Sequence, residues 1–360
     1  MTARIDYPLV MIWLLILALG TVMVTSAGVA TDVELLPRHA IFLFLALTAF
    51  GFMMITPLRW WQAGHRLAWV AAVVLCCAVL IPGIGLAANG AQRWIPLSGF
   101  TLQPAEIAKI LLLIYLAGYL ARFSAQIADD PLALMKPLGM VGVVAVLLLA
   151  QPDFGTAVVL TSAACALLFV AGARLRHFLA IVLFAGGGLL LLAYQQPYRL
   201  ARMVTFTDPW AYANDGGYQL VQALIAFGRG ETFGLGLGEG IQKLEYLPEA
   251  ETDFIYAVIA EELGLVGAVA VIVLFAIFVL RMLRMARHAL LDGRLFAGFL
   301  VYGVALLFGL QALVNLGVNT GVLPTKGLTL PFISFGGNSL IVSCAMFGLV
   351  CRAWLEADDG

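Results

Sequence analysis

The residues best suited to chemistry lie in one stretch. Residues 244–267 read L-E-Y-L-P-E-A-E-T-D-F-I-Y-A-V-I-A-E-E-L-G-L-V-G, which sets five glutamates, Glu245, Glu249, Glu251, Glu261 and Glu262, around one aspartate, Asp253. A carboxylate held at such a junction can take the proton of a hydroxyl nucleophile as a general base. The same residue, following Thr252 and preceding an apolar run, can equally cap a helix and complement its dipole. From the residues alone both readings stand. Glu261 and Glu262 read as structural carboxylates whose partners the sequence does not identify.

A second cluster is Q-P-A-E-I-A-K, residues 103–109, which opens another apolar helix. Gln103 is placed to cap, Pro104 to take the first helical position, and Glu106 to complete a capping box. Lys109 lies one turn deeper, ahead of Ile110, Leu111, Leu112 and Leu113. With Glu106 on the same face it forms either a structural ion pair or half of a site for an anionic headgroup, the second being slightly favoured. Other cations expected on the same outer side are Arg93, Arg199, Arg202, Arg229, Lys243 and Lys326. Singly each reads as a solvated loop charge; together they can hold a pyrophosphate. Gly234, Gly236, Gly238 and Gly240 follow no strand and make no dinucleotide fingerprint, so they read as flexibility.

Composition tells what positions these residues. Of 360 residues, 62% are hydrophobic and 11% charged, whereas a soluble domain carries roughly 25% charged residues. The expected fold is an all-α polytopic membrane protein, one membrane domain over residues 1–360. Ten segments have the length of about 20 apolar residues that a span requires. They are 8–28, 39–57, 66–84, 104–121, 137–151, 153–172, 177–195, 253–280, 295–318 and 335–353. The first, despite Arg4 before it, is read as an uncleaved span and not a signal peptide.

Placing both termini in the cytoplasm puts twelve Lys and Arg in the inner segments and four in the short outer ones, as the positive-inside rule requires. Residues 196–252 then form one long extracytoplasmic loop between helices 7 and 8, in which residues 218–227 are an apolar-rich helix able to lie on the membrane surface. If the eighth helix is continuous, Asp253 stands about 15 Å above the apolar edge, at the height of headgroup sugars. Ala257, Ala260 and Gly264 make a small-residue stripe below it that admits a neighbouring helix or a lipid. The Pro- and Gly-rich residues 323–337 demand non-helical backbone at membrane depth, tolerated only where it is buried in protein or lines a cavity.

Several classes are disfavoured. The net charge of -1 offers no nucleic-acid-binding face. Cys76, Cys77, Cys165, Cys344 and Cys351 lie in or beside apolar runs without metal-ligand spacing. Three of the four histidines, His65, His177 and His288, fall in inner loops with only His39 outside, which argues against a histidine base or His-rich metal site.

Five motifs carry a resemblance to a known family: Y-L-P-E-A-E-T-D-F-I-Y-A-V-I-A-E-E-L-G, L-P-T-K-G-L-T-L-P-F-I-S-F-G-G-N-S-L, Q-R-W-I, Q-P-A-E-I-A-K and Q-P-D-F-G-T. The chain resembles the SEDS family of shape, elongation, division and sporulation proteins from its first span to its last. M-V-T-S-A and G-Y-Q-L-V-Q-A-L-I-A-F-G-R-G-E are more similar to the division members than to the elongation members.

The resemblance implies a ten-helix peptidoglycan glycosyltransferase in the cytoplasmic membrane that polymerises lipid II on the outer face, at the division septum. It implies as partners a class B penicillin-binding transpeptidase (FtsI in division) and the regulators FtsQLB and FtsN. The family's essential aspartate falls on Asp253, its outer-cavity Glu and Lys on Glu106 and Lys109, and its loop Arg-Trp on Arg93 and Trp94. Glu251 stands where many members have His, and Asn338 where Ser is usual. Glu251 thereby adds a carboxylate that can help Asp253 hold Mg²⁺ or Mn²⁺; no organic cofactor is implied.

The implied chemistry fits the residues. Forming a β-1,4 link from an α-linked undecaprenyl pyrophosphate inverts the anomeric centre, so one base and one means of stabilising the leaving pyrophosphate are needed. Asp253 is the expected base, with Lys109 and outer cations such as Arg202, Lys243 and Lys326 on the pyrophosphate. The alternatives are a lipid II flippase and a divisome scaffold without activity. Charges clustered at the outer side, above apolar inner halves, favour a one-sided enzyme over a transporter.

Overall fold

The computed structural model describes residues 6–28, 35–88, 91–97, 100–177, 205–325 and 327–356, with positions 179, 180, 183, 187 and 188 between them. The helices are α1 Tyr7–Gly28, α2 Leu35–Ile55, α3 Leu58–Ala63, α4 His65–Ala78, α5 Pro104–Ile127, α6 Pro131–Ala150, α7 Phe154–Val170, α8 Tyr218–Gly230, α9 Ile255–Leu291, α10 Leu295–Asn319 and α11 Gly337–Leu355. Seven of them, α1, α2, α5, α6, α9, α10 and α11, are long and apolar enough to cross a membrane, and α4 and α7 are shorter apolar helices. The chain is a mostly helical, multi-pass membrane protein. Nine of the ten expected spans coincide with these helices; most of the seventh, 177–195, lies outside the described residues, and Arg202 and Lys326 lie outside them altogether.

The bundle has two ends. Helix α11 runs from Gly337 to Leu355, about 28 Å at 1.5 Å per residue. At its far end the Leu58 amide donates to Glu356 (2.9 Å) and Arg294 donates to the Ala353 carbonyl (3.2 Å). Arg281 bridges to Asp6 at 2.8 Å on the same side. Asp253 lies at the opposite end, where α9 begins. Between the ends, α11 packs on α2, α9 on α10 and α1, and α5 on α4 and α10. Phe278, Phe308, Phe332 and Phe347 interlock at the centre, with ring centroids 5.0–6.1 Å apart.

Four features depart from the expected all-α outline. A three-stranded antiparallel sheet, β1 Leu86–Ala88, β2 Ala91–Leu97 and β3 Phe100–Leu102, fills the connection before α5. Pairing these short strands satisfies backbone donors that an irregular loop beside the membrane would leave open. Helix α6 begins six residues earlier than expected, because Asp130 caps it by accepting from the Leu132 amide (2.9 Å) and Pro131 opens it. Helix α8 is docked on α9: Leu220, Val221, Ala223 and Ala226 are buried, and Phe227 meets Tyr256 edge-on at 5.5 Å.

The fourth departure concerns α9, which breaks at Gly264 (φ 69°, ψ -168°). Residues 231–236 run through the break. Leu235 and Gly236 donate to the Glu261 and Glu262 carbonyls at 3.0 Å each, and Leu265 and Val266 donate back to Glu231 and Thr232 at 2.9 and 3.1 Å. Gly234 has φ 80°, and a Cβ on it would lie 2.1 Å from the Glu262 carbonyl oxygen. The glycine run therefore supplies left-handed backbone and close approach in an ordered loop, which replaces its reading as flexibility. The break also removes the premise of a continuous eighth helix from which the height of Asp253 follows. Below Asp253 the small-residue stripe serves a neighbouring helix, since a Cβ on Gly230 of α8 would lie 1.9 Å from the Ala260 carbonyl.

Candidate active site

Asp253 sits in the turn that leads into α9. The Thr252 and Phe254 amides donate to the Glu249 carbonyl (3.2 and 3.1 Å), and the Thr252 hydroxyl donates to the Glu249 carboxylate (2.7 Å). Phe254 holds the cap position, with no side-chain cap bond of its own. The cap comes instead from α10. Asn319 Oδ1 accepts from the Ala257 amide at 3.1 Å, while Asn319 Nδ2 and Asn315 Nδ2 donate to the Asp253 main-chain carbonyl at 2.9 and 3.0 Å. The cap position thus falls on Phe254, one residue after Asp253. The Asp253 backbone is clamped by two asparagines, and the Asp253 Oδ2 lies so close over Gly327 that a Cβ there would be 2.9 Å away.

The clamp extends into a ladder. Asn315 Nδ2 also donates to the Leu328 carbonyl (2.6 Å), and Gln311 Nε2 to the Thr329 carbonyl (3.0 Å). Gln311 Oε1 in turn accepts from Lys109 Nζ at 3.4 Å. Gln311, Asn315 and Asn319 are buried on one face of α10. They join the Asp253 turn, the irregular residues 327–336 and the Lys109 side chain. That irregular segment is buried in protein, as non-helical backbone at membrane depth must be: Leu328, Leu330, Phe332, Ile333 and Ser334 are all covered. The ladder was legible as Q-A-L-V-N-L-G-V-N, three carboxamides at four-residue spacing in an apolar helix, but the sequence reading did not single it out.

Lys109 and Glu106 form a buried ion pair at 2.7 Å. The contact is electrostatic, since Glu106 Oε2 makes no aligned hydrogen bond. Gln103 makes no side-chain cap bond, so the expected capping box is not formed and Glu106 turns to Lys109 instead. The ion pair is thus formed and is linked through Gln311 to the Asp253 turn.

Other sequence candidates have different employment. Lys243, expected on the pyrophosphate, is buried and donates to Glu262 (2.6 Å) and Ser26 (2.9 Å). Glu262 also accepts from the Gly238 amide (3.0 Å), and Glu261 accepts from the Ile241 and Gln242 amides (3.2 and 3.0 Å) and pairs with Arg229 (3.3 Å). These are the partners of the two glutamates that the sequence could not identify. The Arg93 guanidinium braces the turn between α6 and α7 by donating to the Gln151 carbonyl (3.2 Å) and to that of Pro152. Trp94 lies opposite Leu86 in the sheet, half-buried. The Glu251 carbonyl accepts from the Phe335 amide (2.8 Å), which pins the irregular segment beside Asp253. Among the described residues no three His, Cys, Asp or Glu side chains converge as a metal cage.

Comparison with known sequences adds the family. Residues 7–358 match the FtsW, RodA and SpoVE family model of cell cycle proteins. The chain belongs to this family. Among its SEDS relatives is the "Probable peptidoglycan glycosyltransferase FtsW" of Hahella chejuensis, 49% identical over all of this chain and 92% of that one. The SEDS fold is also shared with a chain from a peptidoglycan synthase complex that coordinates polymerization and crosslinking, at TM-score 0.81 and 30% identity over 99% of both chains. Thermus thermophilus rod shape determining protein RodA matches at TM-score 0.73 and 30% identity, over 98% of this chain and 97% of that one.

Proposed function

We propose that this SEDS protein is a peptidoglycan glycosyltransferase that polymerises lipid II into β-1,4-linked glycan on the outer face of the cytoplasmic membrane during septal wall synthesis. The observation that carries the reading is the division of labour at the start of α9. Asn319 caps the helix, and Asn315 and Asn319 fix the Asp253 backbone. The turn that carries the Asp253 carboxylate is thereby held from α10.

In the mechanism proposed, Asp253 takes the proton of the acceptor 4-hydroxyl as that oxygen attacks the donor's anomeric carbon. The bond to undecaprenyl pyrophosphate breaks on the opposite face, which inverts the centre. Lys109, held against Glu106 and Gln311, supplies positive potential toward the leaving pyrophosphate, supplemented by Arg202 and Lys326. Lys243 and Arg93 act by holding backbone, through Glu262 and the 151–152 turn. Mg²⁺ or Mn²⁺, which characteristically binds through one or two carboxylates plus substrate phosphates, would be held by Asp253 and Glu251 and would neutralise pyrophosphate charge.

The topology proposed is ten spans with both termini cytoplasmic and residues 196–252 outside, within one membrane domain. A class B transpeptidase such as FtsI is the proposed partner, with FtsQLB and FtsN as regulators. The relative named for coordinated polymerization and crosslinking supports this pairing.

The deciding experiment supplies lipid II to the purified full chain with its transpeptidase and compares Asp253→Asn and Asp253→Ala with the unaltered protein. Loss of polymer with unchanged folding is expected; full polymerisation by either variant overturns the base assignment. Transport of headgroup without polymer by the unaltered protein in vesicles would assign the chain to the flippase class instead.

A further inference from the structure

At the end of the bundle opposite Asp253, a cavity of about 390 Å³ is lined by Arg59, Gln62, His65, Arg66, Gly118 and Arg122. Three guanidinium groups face this space, and no acidic side chain lines it. All three arginines are exposed, and among the described residues none makes an ion pair. Elsewhere at the same end arginines do find carboxylates: Arg281 has Asp6, Arg294 has Asp292 and Arg352 has Glu356. Arg284 and Arg287 also make no ion pair among the described residues, but only at Arg59, Arg66 and Arg122 do three such guanidinium groups line one cavity.

Local architecture makes the cavity a place and not a loose patch. Gly118 lets the start of α4 press onto α5, since a Cβ there would lie 2.4 Å from His65 Cβ. His65 is buried and donates from Nδ1 to the Gln62 carbonyl at 2.7 Å, which fixes the turn between α3 and α4. The cavity adjoins the first turn of α4, which has neither a side-chain cap nor an acidic residue, so its open amides add to the anion-attracting potential. Ile55, Trp60 and Leu67 around it are 68%, 67% and 70% exposed. Large apolar side chains and a tryptophan so exposed mark the level where acyl chains meet headgroups.

We propose that this cavity binds the phosphate headgroup of an anionic phospholipid, with Arg59, Arg66 and Arg122 as its ligands. Basic pockets between membrane helices have this chemistry, and guanidinium groups match phosphate oxygens bidentately. On the orientation proposed above, the lipid belongs to the cytoplasmic leaflet. The site itself rests on the cavity alone, so its test is independent of catalysis.

The test is native mass spectrometry of the full chain released from nanodiscs containing equal phosphatidylglycerol and phosphatidylethanolamine. The unaltered protein is expected to retain phosphatidylglycerol in preference. The triple variant Arg59→Gln, Arg66→Gln, Arg122→Gln is expected to bind it at least roughly tenfold more weakly. Arg284→Gln with Arg287→Gln, two exposed arginines away from the cavity, is expected to bind it as the unaltered protein does. Equal loss in that control, or no preference over phosphatidylethanolamine, overturns the proposal. So does displacement of the lipid by glycerol 1-phosphate at matching concentration, which would make the ligand a soluble phosphate. If the triple variant does not fold, Arg122→Gln alone must weaken retention while Arg122→Lys largely restores it; equal binding by the two overturns the site.

Discussion

Within one stretch of 24 residues the chain anchors its carboxylate residues in two different ways. Glu261 and Glu262 are fully buried and saturated: Lys243, Ser26 and the Gly238 amide serve Glu262, and the Ile241 and Gln242 amides with Arg229 serve Glu261. Asp253, eight residues earlier, has its backbone served by Asn315 and Asn319 while the helix-capping duty falls to Asn319. Burying a charge is costly unless it is paired and hydrogen-bonded. The glutamates meet that condition by pinning residues 231–246 onto the broken helix. The aspartate's main chain is held by two asparagines from α10, so another helix sets where its carboxylate stands.

The comparison breaks most sharply at its two poles. Asp253→Asn is expected to lower lipid II polymerisation by about 10²- to 10⁴-fold, the usual contribution of a positioned base, with the thermal midpoint of the purified protein almost unmoved. A matching fall in thermal stability would make Asp253 structural like its neighbours. Glu262→Leu should do the reverse, costing about 3–5 kcal/mol because Lys243 is left as an uncompensated buried charge. Chemical denaturation in detergent measures this, and adding Lys243→Met should recover much of the loss. If the double variant is no better than the single, the pair is not the source of the cost.

Smaller changes sharpen the contrast. Gly264→Ala places a Cβ at φ 69°, 2.3 Å from the Gly234 amide nitrogen, and is expected to cost about 1–3 kcal/mol, with protease cutting of residues 231–246 as the visible sign. Asn319→Ala removes the cap of α9 and is expected to cost about 1 kcal/mol. Because Asn319 also holds the Asp253 carbonyl, kcat should fall more than stability does; a variant with full turnover would detach the clamp from the chemistry.

The apolar spans were legible because a membrane segment is a local property: a run of about 20 apolar residues predicts itself. The helices at 7–28, 104–127 and 295–319 begin within a few residues of the expected positions for that reason. Caps read less well. Asp130-Pro131 lies in a polar segment outside the apolar run and yet caps and opens α6, whereas Gln103 has the place of a cap and makes no cap bond. The strands β1 and β3, three residues each, are too short for periodicity to announce them, and β2, A-Q-R-W-I-P-L, does not alternate and contains a proline.

For this protein, the sequence by itself determined that the chain lives in a membrane and that its polar residues gather at a helix junction around Asp253. Hydropathy and residue order carry that information within a single segment. Only the tertiary structure decided what holds each of these residues, because the donors arrive from distant segments. Ser26 reaches Glu262 across 236 positions, and Asn319 reaches the Asp253 carbonyl across 66. Nothing in the local sequence distinguishes a glutamate that will meet a buried lysine from an aspartate whose helix will be capped by another helix.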